Sequence, residues 1–188
     1  MTMNMAERIS RYFALRGAVT EEDREVLAFM LFHILALVQQ VLVLTVIAAS
    51  LDSFLQATVC TLFFASLKRY AGGAHANKHW VCLTMFAGLT TAVCLISKFV
   101  AVPPYVAIGA SVVALALVLL RSPVIHPNNP KPERRRKIMR SISICIAIAQ
   151  CTLVAAGSVI WPAIAMSGAL GGMMAAIALL LPMPDNET

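Results

Sequence analysis

Six long apolar runs leave this chain few ways to fold. They cover about residues 26 to 50, 51 to 67, 80 to 102, 104 to 120, 138 to 160 and 163 to 181. A hydrocarbon core of about 30 Å takes roughly 20 mostly apolar residues to cross as a helix, and no water is available there to satisfy peptide groups left open by any other shape. Composition agrees, with 60% of the residues hydrophobic and only 13% charged, where a soluble domain is near half apolar and about a quarter charged. The expected fold is all-α, a polytopic integral membrane bundle of about six transmembrane helices. The second run is the shortest, since residues 51 to 67 rise only about 26 Å at 1.5 Å each, and it borrows length if Lys68 and Arg69 snorkel. Residues 1–188 are expected to form one domain. A cleaved signal peptide is not expected, because the first apolar run starts near Val26 and is too long for an h-region.

Ahead of that run, Met5, Ile9 and Phe13 recur every four residues among Arg8, Arg11 and Arg16. This pattern suits an N-terminal amphipathic interfacial helix on an anionic membrane surface, or else a frayed polar tail. Thr20 to Asp23, TEED, has the form of an N-cap followed by acidic residues, and starts the first span.

The formal charge is +6, and its placement orients the chain. Arg121 to Arg140, RSPVIHPNNPKPERRRKIMR, carries seven Lys or Arg against the single Glu133. The connections near residues 51 to 53, 102 to 104 and 161 to 162 carry no basic residue. By the positive-inside rule, six spans put both termini and the 68 to 79 and 121 to 137 connections in the cytoplasm, leaving Lys98 as the one basic residue toward the outside. The expected location is therefore a cell membrane, crossed several times. No aromatic residues are interleaved in the basic strip, so it suits anionic lipid or an acidic peptide rather than nucleic acid.

The reactive chemistry is concentrated in RYAGGAHANKHWVC, Arg69 to Cys82. Gly72 and Gly73 end the second helix or turn its backbone sharply, because glycine takes positive φ at no steric cost. Trp80 has the character of an interfacial anchor. Cys82 falls in the first turn of the third span with Lys78 one turn before it, and a helix N-terminus with a neighbouring cation favours the nucleophilic thiolate. A histidine in reach takes the proton and later returns it to a leaving amine, so the parts of a cysteine protease are present. On one continuous helix His79 and Cys82, at i and i+3, are neighbours, whereas His75 and Cys82 are about 10.5 Å apart along the axis. Spacing favours His79; His75 reaches the thiol only if the segment after Gly73 folds back.

The same stretch, extended to KRYAGGAHANKHWVC, resembles the signature of the accessory gene regulator B peptidases, bacterial membrane enzymes of peptide quorum sensing. The likeness extends to chain length, the basic amphipathic N-terminus, the position of the motif after the second span, and the linker SPVIHPNNPKPERRRK. The resemblance implies Cys82 as nucleophile and His75 as base, acting without a cofactor or metal on the cytoplasmic face. It implies a small amphipathic (AgrD-like) propeptide as substrate, whose C-terminal tail is removed through an acyl-thioester. In family members an internal Cys or Ser of the peptide then closes a thiolactone or lactone ring.

No carboxylate lies in any span near the motif, so Gln39, Gln40 and Asn77 are the polar candidates for orienting the histidine or forming an oxyanion hole; simple interhelical hydrogen bonding is the competing reading. Arg69 and Lys78 are candidates for binding the propeptide or lipid headgroups, with Gly72 and Gly73 in support. Cys60, Cys94, Cys145 and Cys151 are expected to pack as small apolar residues. His33 is expected to be a hydrogen-bonded core residue and His126 a loop residue. Gly168 and Gly172, at GxxxG spacing in SGALGG, allow close helix contact within the bundle or in a homodimer. Two other classes fit less well. H-x3-H-x2-C at His75, His79 and Cys82 suggests a metal-binding transporter, but one without carboxylates or an inverted repeat. A non-catalytic membrane partner for a peptide or kinase would be indifferent to alkylation of Cys82.

Overall fold

Each apolar run forms one helix. The computed structural model describes residues 2–73, 79–125 and 131–181, apart from the side chains of residues 2, 3 and 21. These residues form seven helices: α1 (Thr2–Leu15), α2 (Glu21–Ser50), α3 (Phe54–Ala71), α4 (His79–Phe99), α5 (Pro104–Arg121), α6 (Glu133–Ile160) and α7 (Pro162–Ile177). There is no strand among them, only an isolated bridge between Gly72 and Val124. Helices α2, α4, α5 and α6 are long and apolar enough to cross a membrane. Length and apolarity therefore single out four of the six expected spans. The other two runs, α3 and α7, are helical, but α3 closes on Lys68 and Arg69 and α7 has 16 residues.

The helices fall into two compact units, residues 1–46 and 47–188. In the first, α1 buries Ala6 and Ser10, while Met5 and Phe13 are exposed and Ile9 is half-buried. The repeating apolar stripe thus faces outward, as an interfacial helix requires. Thr20 caps the start of α2: its hydroxyl accepts from the Asp23 amide at 3.2 Å, the N-cap half of a capping box, and donates to the Asp23 carboxylate at 2.7 Å. His33 departs from expectation. It is exposed, its Nδ1 lies 2.8 Å from Phe29 O on its own helix, and its ring rests against Phe29 and Phe32. A ring that satisfies its nitrogen locally needs no core around it.

In the second unit, contacts between chain-distant residues fix the helix directions. Lys98, near the end of α4, donates to Leu51 O at 2.6 Å just before α3 begins, and its ammonium is 4.0 Å from the Asp52 carboxylate. Phe64 of α3 meets Phe86 of α4, with ring centroids 6.4 Å apart. These helices are therefore antiparallel. Ser122, just after α5, shares a buried 2.6 Å hydrogen bond with Ser143 near the start of α6, and Ser111 donates to Cys151 Sγ at 3.5 Å. Ser167 of α7 donates to Ser97 of α4 at 2.8 Å. One end of the bundle thus collects the close of α3, α5 and α7 with the start of α4 and α6. The opposite end collects the turns at 51–53, 100–103 and 161.

The core consists mostly of small side chains. One cluster holds Leu67, Ala71, Ala114, Val118, Ala147, Ala175, Ala176 and Leu179, and a second holds Ala107, Val154, Ala165, Met166 and Ala169. Apolar burial does not bring helices together when the surroundings are as apolar as the core, so close backbone approach and interhelical hydrogen bonds must do so. The α7 glycines show how. A Cβ on Gly171 would collide with Cys60 O, one on Gly168 would lie 3.0 Å from the Phe63 ring, and one on Gly172 would lie 3.1 Å from Gln150 Oε1. The SGALGG glycines are used inside the bundle. Gln150, almost fully buried on α6, donates to Phe63 O at 2.9 Å and to Ser66 Oγ at 3.1 Å. Gln150→Leu is expected to cost about 1 kcal/mol, since interhelical hydrogen bonds in membranes average about 0.6 and reach about 1.7 kcal/mol. A lowered melting temperature in detergent, with helix content unchanged at 25 °C, checks it.

Of the other cysteines, Cys60 and Cys94 are buried and Cys151 is half-buried, as expected of small apolar residues, but Cys145 is exposed. It occupies an outward position of α6, two residues from the buried Ser143 and Ala147 on either side.

Candidate functional site

Helix α3 continues through Lys68, Arg69 and Tyr70 and stops at Ala71 because the next two residues leave helical space. Gly72 has φ +79° and Gly73 φ +102°. The Gly72 amide donates to Lys68 O at 3.1 Å, and the Val124 amide donates to Ala71 O at 2.9 Å. Both glycines lie directly against other backbone. A Cβ on Gly72 would overlap Val124 O, and one on Gly73 would lie 2.6 Å from Ala178 O, just past the end of α7. The glycine pair is therefore a junction at which the end of α3 meets the segment after α5 and the end of α7. Sequence indicated the turn; the two close approaches, to residues 52 and 105 positions away, left no local signal.

Past the junction, Cys82 lies in the first turn of α4 as described, a free and half-buried thiol. His79, one turn before it, is half-buried, and Trp80 is 62% exposed, the setting of an interfacial anchor. Arg69 is exposed. His75, Asn77 and Lys78, expected around the thiol, lie outside the described residues, as does His126. Gln39 and Gln40 are half-buried on the part of α2 that belongs to the first unit.

Lys68 is the group that sequence reading missed, having been treated only as a snorkelling end to the span. Its side chain is half-buried and its Nζ lies 6.0 Å from the centre of the Phe64 ring. The geometry follows from the aromatic contact. Lys68 is four residues after Phe64 on α3, and Cys82 is four residues before Phe86 on α4, so on antiparallel helices both stand one turn beyond the Phe64–Phe86 pair in the same direction. The signal was present as F-x3-K and C-x3-F, and reading it required knowing that the two phenylalanines touch.

A second feature belongs to the first unit alone. An open cleft of about 820 Å³ is lined by Asn4, Glu7, Arg8 and Arg11 of α1 and Arg24, Glu25 and Phe29 of α2 among others. Its arginines outnumber its carboxylates, which suits the anionic surface expected beside α1.

No curated protein and no solved structure matches the chain. The family model of accessory gene regulator B matches residues 6–179, which takes in α1 from Ala6 onward, the glycine junction, Cys82 and all of α7. With its long apolar helices and a half-buried cysteine beside that junction, the chain belongs to the accessory gene regulator B family, membrane proteins that process the propeptide of quorum sensing.

Proposed function

We propose that the protein is a membrane cysteine endopeptidase that removes the C-terminal tail of a quorum-sensing propeptide. The observation that carries this reading is the position of Cys82: a free, half-buried thiol on the first turn of α4, within a family of propeptide-processing proteins. In this reading all six helices from α2 to α7 span the bilayer and the bundle end that carries Cys82 faces the cytoplasm. Support comes from charge placement, since Lys68, Arg69, Arg121, Lys131, Arg134, Arg135, Arg136, Lys137 and Arg140 gather at that end while Lys98 stands at the other.

The chemistry is acyl transfer. The Cys82 thiolate attacks the scissile carbonyl; the C–S bond forms, the C–N bond breaks, and the departing amine takes the proton that His75 received from the thiol. The acyl-thioester keeps the acyl group activated. A thiol or hydroxyl inside the same peptide then displaces the enzyme sulfur and closes a thiolactone or lactone ring, provided that water is kept from the ester. Arg69, Lys78 and the glycine junction support the bound peptide.

The test is co-expression with a candidate propeptide and mass spectrometry of the fragments. His75→Ala is expected to abolish release of the C-terminal fragment, while His79→Ala retains it. The reverse result would move the base to His79, and release that survives both changes would remove histidine from the mechanism.

A further inference from the structure

We infer that the cleft between α1 and α2 is a binding site for the phosphodiester headgroup of one anionic phospholipid, held by Arg8, Arg11 and Arg24. The two helices bring these guanidiniums together from separate parts of the chain. On α1, Asn4, Glu7, Arg8 and Arg11 stand at i, i+3, i+4 and i+7, so they share one helical face, and all of them line the cleft. On α2, Arg24 and Glu25 line it near the start of the helix and Phe29 one turn further on. The space they enclose is about 820 Å³ and open on one side, which leaves room for a headgroup and not only for a lone ion.

The level of the cleft argues for a lipid. Arg24 and Glu25 stand immediately before the apolar run that begins at Val26, and Val26, Phe29 and Met30 are exposed. The cleft therefore crosses the boundary where a bilayer passes from phosphates to hydrocarbon, and its occupant needs a charged end for the arginines and an apolar end for Phe29. Charge points the same way. The arginines face two carboxylates, Glu7 and Glu25, so the cleft is net positive. Among the described residues neither Arg8 nor Arg11 is held in an ion pair, although Glu7 is four residues before Arg11. Both planar forks are thus open to a phosphate, whose oxygens they match in pairs. Arg24 is half-buried, and a cation partly withdrawn from water attracts an anion more strongly than one fully solvated.

The site differs from general attraction to a charged surface in being local and saturable. Met5, Ile9 and Phe13 occupy a different face of α1 from the one that carries Arg8 and Arg11. These arginines therefore gather in the cleft instead of spreading over the surface that the apolar stripe touches. One phosphate shared by residues of both helices would bridge α1 to the start of α2. The inference does not depend on the peptidase reading.

The experiment is native mass spectrometry of the full-length protein released from detergent micelles, titrated with phosphatidylglycerol and, separately, with zwitterionic phosphatidylcholine. One tightly bound phosphatidylglycerol is expected, with phosphatidylcholine unable to take its place. Arg8→Gln combined with Arg11→Gln is expected to weaken that lipid about tenfold, the scale of one charge-assisted hydrogen bond. Arg134→Gln combined with Arg135→Gln removes the same charge from the start of α6 and is expected to change the affinity by less than about twofold, because distant exposed charges are screened. Glu7→Gln is expected to strengthen binding about threefold, a change that loss of folding cannot imitate. Equal weakening by the two double substitutions would overturn the inference, since it marks diffuse attraction to a basic surface. Equal binding of the two lipids, or an affinity left unchanged by Glu7→Gln, would overturn it as well. Inorganic phosphate in large excess is expected to leave the lipid in place; displacement by it would overturn the lipid as occupant and mark a site for free phosphate.

Discussion

Cys82→Ala is expected to leave the protein in the membrane at wild-type level and to lower propeptide cleavage by a factor on the order of 10³ or more, the scale on which removing a covalent nucleophile acts. The two halves of this expectation have separate grounds. Alanine is a good helix former in the first turn of α4 and removes only a half-buried sulfur, so the fold loses little. The reaction loses the atom that forms the acyl-thioester, and no neighbouring side chain of α3 or α7 can replace it as a thiolate: Cys60 and Cys94, buried further along α3 and α4, have no access to a peptide. Cys82→Ser sharpens the comparison, because serine keeps the shape but is a far weaker nucleophile without a strong base. Both variants are checked by immunoblot of the membrane fraction and by mass spectrometry of the co-expressed propeptide. Full processing by Cys82→Ala would end the proposed mechanism.

Gly72→Ala and Gly73→Ala are expected to abolish processing by the opposite route, with Cys82 intact. Their φ values of +79° and +102° are ones that L residues rarely adopt, and holding a side chain there costs about 1 to 3 kcal/mol. The added methyl at Gly72 would also overlap Val124 O, and at Gly73 it would lie 2.6 Å from Ala178 O, with carbonyls rather than yielding side chains as the obstacle. Each substitution is expected to cost about 3 kcal/mol or more in total, which is a large part of what holds a domain of this size together. Thermal unfolding in detergent reads the effect directly. Gly88→Ala and Gly109→Ala are the controls, because both sites open onto space with nothing within 4 Å and ordinary helical φ; these variants are expected to be neutral or slightly stabilised. If Gly72→Ala melts with the controls, the junction does not carry the load assigned to it.

The helices were legible because hydropathy is a local property, and so was the start of α2, where Thr20 and Asp23 are three residues apart. What failed did so for want of a partner. His33 was expected in a core, and instead it satisfies its ring on its own helix and stays exposed. Cys145 was expected to pack, and its outward position on α6 became visible only once the buried face through Ser143, Ala147 and Gln150 was known. The GxxxG glycines signalled close contact, but only the assembled bundle shows Phe63 and Gln150 on the other side. Around the thiol, the position of Cys82 at the start of a helix was legible, and the contact between Phe64 and Phe86 that sets α3 against α4 was not. Phe64 and Phe86 are twenty-two residues apart, and nothing local to either announces the other.

The contact between Gly73 and Ala178 ties the segment just after α7 to the glycine junction. Clipping the protein ahead of residue 178, or fusing a bulky reporter directly to Ile177, would strip the wall against which Gly73 packs, although no residue of the motif itself had been touched. Affinity handles are better carried beyond Leu181, and partial digests should be inspected for cleavage near 178 before an inactive preparation is blamed on an oxidised thiol.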